Sequence, residues 1–269
     1  VTLLLNSLSI PQSFIDAAAA LDPSWRATAL HGLEAVDRAT PGYLQALDKD
    51  EYLPTQGRIF AAFSQPLSAI RYVLVGEGPY PRAASATGVC FMDGAVGNLW
   101  SEQADGGLSK AVNRATSLRN FIKMLLLADG QLAADDSGAA ALATVARQAK
   151  AEGSNMIATL AELQANLIAH GFLLLNASLV FRPHVAPAID AKAWKPFIEH
   201  VLQALLVQQG ETLAPTLILW GKVAASINGL PQAVHFPQVI SEHPYNLSFI
   251  VNPAMHALFG PLHLLQKSR

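Results

Sequence analysis

The stretch Tyr72-Val-Leu-Val-Gly-Glu-Gly-Pro-Tyr-Pro81, which runs on to Gly88-Val-Cys-Phe91, decides how the rest of the chain is read. Val73, Leu74 and Val75 are β-formers in a run without polar interruption, the pattern of a strand buried on both faces. Gly76 and Gly78 permit backbone angles and close approaches that a side chain forbids, and Pro79 pushes Gly78 toward extended backbone. In an open parallel sheet a ligand sits beyond the carboxyl ends of the strands, where this loop falls. A Gly-x-Gly turn is also a common tight connection with no chemistry. The loop therefore gains its weight from what other segments contribute.

Three more strands follow the same rule. Phe172-Leu-Leu-Leu-Asn-Ala177 is apolar and ends in a polar Asn176, Thr216-Leu-Ile-Leu-Trp-Gly221 ends in Gly, and Val239-Ile240 runs at once into Glu242-His243-Pro244. Helical patterns lie between them. Residues 11–50 read as helices, with Asp22 as an N-cap and Pro23 at the first helical position. Leu118, Ile122 and Leu125 share a helical face, a helix is expected over Met156–His170, and Trp194, Phe197 and Val201 mark an apolar stripe over Trp194–Gln208. The loops are Tyr52 to Gly57 and Pro183 to Pro187. Strands alternating with helices predict an α/β fold, a central four-stranded parallel sheet flanked by helices. With no repeat and no linker, residues 1–269 read as a single domain. An Ala-, Asp- and Gly-rich surface excursion with some helix and no chemistry is expected at about 129–155.

Composition narrows the functional classes. The chain has 269 residues, 51% hydrophobic and 14% charged, so a large core is assured. The net charge of −2 gives no global sign of a nucleic-acid binder, although a local basic rim suffices for one. A single cysteine, Cys90, rules out an internal disulfide and suits a reducing compartment. Val1-Thr-Leu-Leu-Leu5 is too short for a membrane span and has no basic n-region. The expectation is a soluble, cytoplasmic monomer with no membrane association. No His/Cys/Asp cluster has ligand spacing, so neither metal nor cofactor is expected, and no Gly-x-Ser-x-Gly elbow supplies a hydrolase nucleophile.

Taken together, the strand ends resemble the uracil-DNA glycosylase superfamily, closest to its family 1. That family's Gly-Gln-Asp-Pro-Tyr-His loop is similar to Gly76-Glu-Gly-Pro-Tyr-Pro81, its Leu-Cys-Phe to Val89-Cys-Phe91, and its Leu-Leu-Leu-Asn to Leu173-Leu-Leu-Asn176. Its Leu-Trp-Gly-Ser resembles Leu219-Trp-Gly-Lys222, and its His-Pro-Ser-Pro-Leu-Ser resembles His243-Pro-Tyr-Asn-Leu-Ser248. The likeness runs in order from about residue 50 to the end.

The resemblance implies a DNA glycosylase of base-excision repair, which flips uracil or a related damaged base and hydrolyses its N-glycosidic bond. Gly76 and Gly78 would let the loop backbone approach the base. Phe91 would be the stacking platform, and otherwise a core Phe. Asn176 carries one donor and one acceptor, the complement of a uracil edge, and otherwise is a strand-end Asn bonded to backbone. Tyr80 would reject thymine's methyl, or simply pack the loop. His243 would donate a hydrogen bond to the uracil oxygen that gains charge; before Pro, a structural His is its competitor. Leu247 would be the wedge that fills the flipped base's place, or a core residue. Gly221, Lys222 and Ser248 would contact phosphates, with a solvated Lys222 as the plainer reading.

The pattern also breaks. The family's catalytic Asp, which positions the attacking water, falls on Gly78; the loop's His becomes Pro81; and Ser-Pro becomes Tyr245-Asn246. Positioned acid–base assistance is worth about 10²–10⁴-fold. Glu77, beside the lost Asp, resembles the family 4 loop Gly-Glu-Ala-Pro-Gly and is the candidate substitute, although adjacent side chains on extended backbone point apart. Two functions follow: a glycosylase with weakened or altered activity, or a catalytically silent protein of the same fold that binds DNA, a base or a protein partner.

Overall fold

A computed structural model describes residues 10–209 and 214–267; the opening Val1–Leu5 lies outside them. The strands are β1 (Tyr72–Gly76), β2 (Phe172–Asn176), β3 (Thr216–Trp220) and β4 (Gln238–Ser241), hydrogen-bonded in the order β2-β1-β3-β4 as one parallel sheet. The helices are α1 (Gln12–Ala19), α2 (Arg26–Ala39), α3 (Tyr43–Asp48), α4 (Lys110–Arg114), α5 (Thr116–Ala128), α6 (Ala139–Lys150), α7 (Leu160–Ala169), α8 (Pro187–Gln209), α9 (Val223–Asn228) and α10 (Pro253–Phe259). Among the described residues no helix is long and apolar enough to cross a membrane.

The apolar runs that signalled strands are buried as expected. Val73, Leu74 and Val75 of β1, all of β2, and Leu217 to Trp220 of β3 are shielded from solvent. Edge strand β4 is shorter and its Ile240 is 50% exposed, which is why its sequence signal is weaker. The open edge of β2 is partly covered, because the Leu174 carbonyl accepts the Cys90 backbone N–H at 3.1 Å.

Packing divides the chain into two compact units. Of the described residues, the first comprises those up to Asp93, those within Leu173–Ile218, and Val223–Gln238. Its core sets α2 against α8, so closely that a Cβ on Gly32 would lie 2.6 Å from the Phe197 ring. Asp22 caps the turn at Pro23 as expected, accepting the Ser24 N–H at 3.0 Å. Helix α8 begins well before the expected Trp194, because Pro187 is a first-turn helix residue rather than the end of a loop. Just ahead of it, Arg182 bonds Asp190 at 2.6 and 3.2 Å and Asp50 at 3.0 Å, while the Tyr43 hydroxyl donates to Asp190 at 2.7 Å. These bonds raise the Arg182 pKa, Asp190 being the foremost cause.

The second unit comprises Gly94–Phe172, Leu219–Lys222 and the described residues from Val239 on. Phe121, Trp220, Phe249 and Phe259 interlock at its centre. Helix α7 starts at Leu160, later than expected, because Thr159 and Glu162 form a capping box there; Met156 instead bridges to Gln266. The segment 129–155 carries some helix, as expected, and part of that helix faces inward. Helix α6 buries Leu142, Val145 and Ala146, and a Cβ on Gly107 would come within 2.7 Å of Leu142.

Arg182→Ala leaves Asp190, almost fully buried, without its guanidinium. The variant is expected to lose about 3–5 kcal/mol of stability, measured as a lower urea midpoint at unchanged m-value.

Candidate functional site

The first group of expected site residues is built on β1, β2 and the segment Gly88–Phe91. Gly76 closes β1, and its carbonyl accepts the Ala177 N–H at 2.8 Å. A Cβ at Gly76 would stand 2.9 Å from Cys90 Cβ and 3.1 Å from Asn176 Oδ1, so a side chain there would displace both. Asn176 closes β2 at 2% exposure, and its Oδ1 accepts no hydrogen bond from any described residue. An orphaned buried acceptor costs about 1–3 kcal/mol, and native structures seldom keep one without a reason.

Around this amide the loop is stitched to the sheet. The Cys90 Sγ lies 3.3 Å from the Leu74 carbonyl, and burial pushes the thiol far above its ordinary range, the setting of a packing cysteine. Tyr80 donates its hydroxyl to the Phe91 carbonyl at 3.3 Å. Burial, aided by the Asp93 carboxylate, raises the phenol well above its usual value, which keeps it neutral. Phe91, partly exposed, has φ 65°, a conformation that bulky residues rarely adopt and that clusters at functional sites. Gly78 needs no glycine conformation. A Cβ there would meet only Ser178, at 3.5 Å, an ordinary contact. Glu77 is exposed, and its carbonyl accepts the Ser178 N–H at 3.1 Å.

The second group lies after β3 and β4. Gly221 has φ 60°, donates its N–H to the Ser241 carbonyl at 2.9 Å, and would bring a Cβ within 2.9 Å of His243 Cβ. The Tyr245 N–H donates to His243 Nδ1 at 3.1 Å. Because Nδ1 is thus an acceptor, the neutral ring carries its proton on Nε2, which is a donor. Leu247 is 71% exposed, which removes the core alternative; Lys222 and Ser248 are exposed as well.

Two residues that sequence reasoning passed over hold this second group. Asn120, fully buried on α5, donates from Nδ2 to the Pro244 carbonyl at 2.8 Å and the Tyr245 carbonyl at 3.3 Å. The available signal was a polar residue beside Phe121 and Ile122 on a buried helical stripe. Glu242 accepts from Asn252 Nδ2 at 2.9 Å and from the Ser248 side chain. Burial pushes its carboxyl up, but these bonds outweigh burial and hold it below the usual range. Among the described residues no three His, Cys, Asp or Glu side chains gather to hold a metal ion.

No family model matches the chain. A curated uracil-DNA glycosylase of Corynebacterium glutamicum is 30% identical over 213 residues, spanning 75% of this chain and 72% of that protein. One of a Nocardioides species is 27% identical over 197 residues, 73% of this chain and 66% of that protein. Among solved structures, the wild-type UNG of Nitratifractor salsuginis superposes with a TM-score of 0.83 at 38% identity, covering 96% of this chain and 97% of that one. A mimivirus uracil-DNA glycosylase, at 13% identity and a TM-score of 0.51, shares the fold. The molecule is therefore an α/β protein of the DNA glycosylase-like class of hydrolases that act on N-glycosyl bonds. Within that class, the chain belongs to the uracil-DNA glycosylase family.

Asn120→Ala removes the side-chain tie on the His243 loop. It is expected to lower unfolding free energy by about 1–3 kcal/mol and to speed hydrogen exchange at the Tyr245 amide, read by NMR.

Proposed function

We propose that this protein hydrolyses the N-glycosidic bond of uracil, or a closely related damaged base, flipped out of DNA. The observation that carries the reading is the buried Asn176 amide with its unpartnered acceptor. A uracil edge presents N3–H beside the O4 carbonyl. Oδ1 accepts from N3–H and Nδ2 donates to O4, so the base satisfies the atom that the protein leaves unsatisfied. Phe91 stacks on the ring. Tyr80, neutral and fixed by its bond to Phe91, occupies the space a C5 methyl needs.

As the C1′–N1 bond breaks, negative charge builds on the departing base. His243 donates from Nε2–H to the uracil O2 that gains this charge, a preorganised donor of the kind that usually contributes most to catalysis. Water forms the new bond to C1′ and gives up its proton to Glu77 or to solvent. Gly221, Lys222 and Ser248 hold phosphates, and Leu247 fills the vacated place in the stack. The protein acts as a monomer on uracil-containing DNA in the cell interior.

Gly78 supports a second reading. Where the family has its water-positioning Asp this chain has no carboxylate, which favours a binder that flips the base without cleaving it.

A single-uracil oligonucleotide, treated with alkali after incubation, separates the two. Slow cleavage is expected, falling by about 10²–10³-fold in His243→Ala. Gly78→Asp, whose Cβ would make only ordinary contacts with Ser178, is expected to raise the rate by up to about 10²–10⁴-fold. Retardation of the oligonucleotide with no abasic product from wild type would establish the second reading.

A further inference from the structure

The loop that carries His243 also carries an aromatic side chain that the chemistry above leaves unused. Tyr245 stands where the family's His-Pro-Ser-Pro-Leu-Ser motif has a small Ser. Its backbone is tied on both sides: the N–H donates to His243 Nδ1 at 3.1 Å, and the carbonyl accepts from Asn120 Nδ2 at 3.3 Å. The next residue is tied as well, since Asn246 donates its N–H at 2.9 Å and its side-chain amide at 3.1 Å to the His243 carbonyl. The ring is nonetheless 67% exposed, and Leu247 beside it is 71% exposed. The protein thus holds the backbone of a large aromatic residue firmly while leaving its ring in solvent. Such a ring has only two χ angles to freeze on contact, so immobilising it costs little entropy.

The geometry points to Tyr245 as a base-stacking residue. Its ring lies on the face of a DNA base left unstacked when the target nucleotide flips, and Leu247 is its companion wedge. This deepens the glycosylase reading and rests on it. Flipping strips a stacking partner from the neighbouring bases, and an aromatic side chain replaces it regardless of sequence because every base has a π-face. A nucleobase suits this ring better than a protein surface does, because the same Tyr245 backbone sets the tautomer of His243. The stacking contact and the donor to the leaving base are thereby tied to one loop. The contact needs no complementary strand, so it serves single-stranded and duplex targets alike.

The test uses the whole chain and an oligonucleotide with one non-hydrolysable fluorinated deoxyuridine flanked by fluorescent aminopurine, as single strand and as duplex. Tyr245→Ala is expected to bind both about tenfold more weakly than wild type and to abolish the change in aminopurine emission. Tyr245→Phe, which keeps the ring and loses the hydroxyl, is expected to bind within about twofold of wild type with the emission change intact. Wild-type affinity in Tyr245→Ala overturns the inference and leaves the glycosylase reading standing. A Tyr245→Phe loss as large as that of Tyr245→Ala also overturns it, by assigning the contact to the hydroxyl. A folded wild type that binds neither oligonucleotide overturns the inference together with the reading beneath it.

Discussion

The close approach of Gly76 to Cys90 and Asn176 is the constraint on which the first half of the site depends. Three segments distant in sequence meet there with no space for a methyl group. The Cys90 N–H secures one of them to β2, and Asn176 is left with a buried acceptor that no described residue satisfies. A fold tolerates such an atom at a cost of about 1–3 kcal/mol, and that cost is recovered when a ligand brings a donor. The strained backbone of Phe91 and the neutral Tyr80 belong to the same arrangement, joined by the bond from the Tyr80 hydroxyl to the Phe91 carbonyl. Preorganisation of this kind leaves less ordering to be done on binding.

The loop after β4 follows the same principle by other means. Beside the buried Pro244, Phe249 and Ile250, polar ties hold its shape. Asn120 holds two of its carbonyls, and Glu242 holds Ser248 and Asn252. Asn252 in turn caps α10 through bonds to Ala254 and Met255. The consequence is a histidine whose Nδ1 is engaged by backbone and whose donor is Nε2, flanked by side chains held out in solvent. Against the family motifs named above, one loop has Gly78 instead of a carboxylate and the other has Tyr245-Asn246 instead of Ser-Pro.

Much of the fold was legible because strands β1, β2 and β3 are buried on both faces, and such burial writes uninterrupted apolar runs into the sequence. Gly76 and Asn176 could be placed because they end such runs, and His243 because it lies just beyond the weaker run of β4. Helix starts were read less well: Pro187 looked like loop but opens α8, and the Thr159 capping box shortens α7. The burial of α6 was hidden because alanine-rich helices pack by close approach, not by large side chains. Asn120 was missed for a different reason. Its partners lie 124 and 125 residues away, and a hydrogen bond between such distant positions leaves no local pattern. The positive φ of Phe91 is likewise imposed by its surroundings.

The central claim is that Asn176 is held unsatisfied to read a base edge. It is tested most directly by titrating the protein with free uracil and with N3-methyluracil, following heat or the Asn176 side-chain amide resonance. The account predicts that uracil binds and shifts that resonance, while the methylated base, lacking the N3–H donor, binds at least about tenfold more weakly. Equal binding of the two, or uracil binding that leaves the Asn176 amide unmoved, would contradict it.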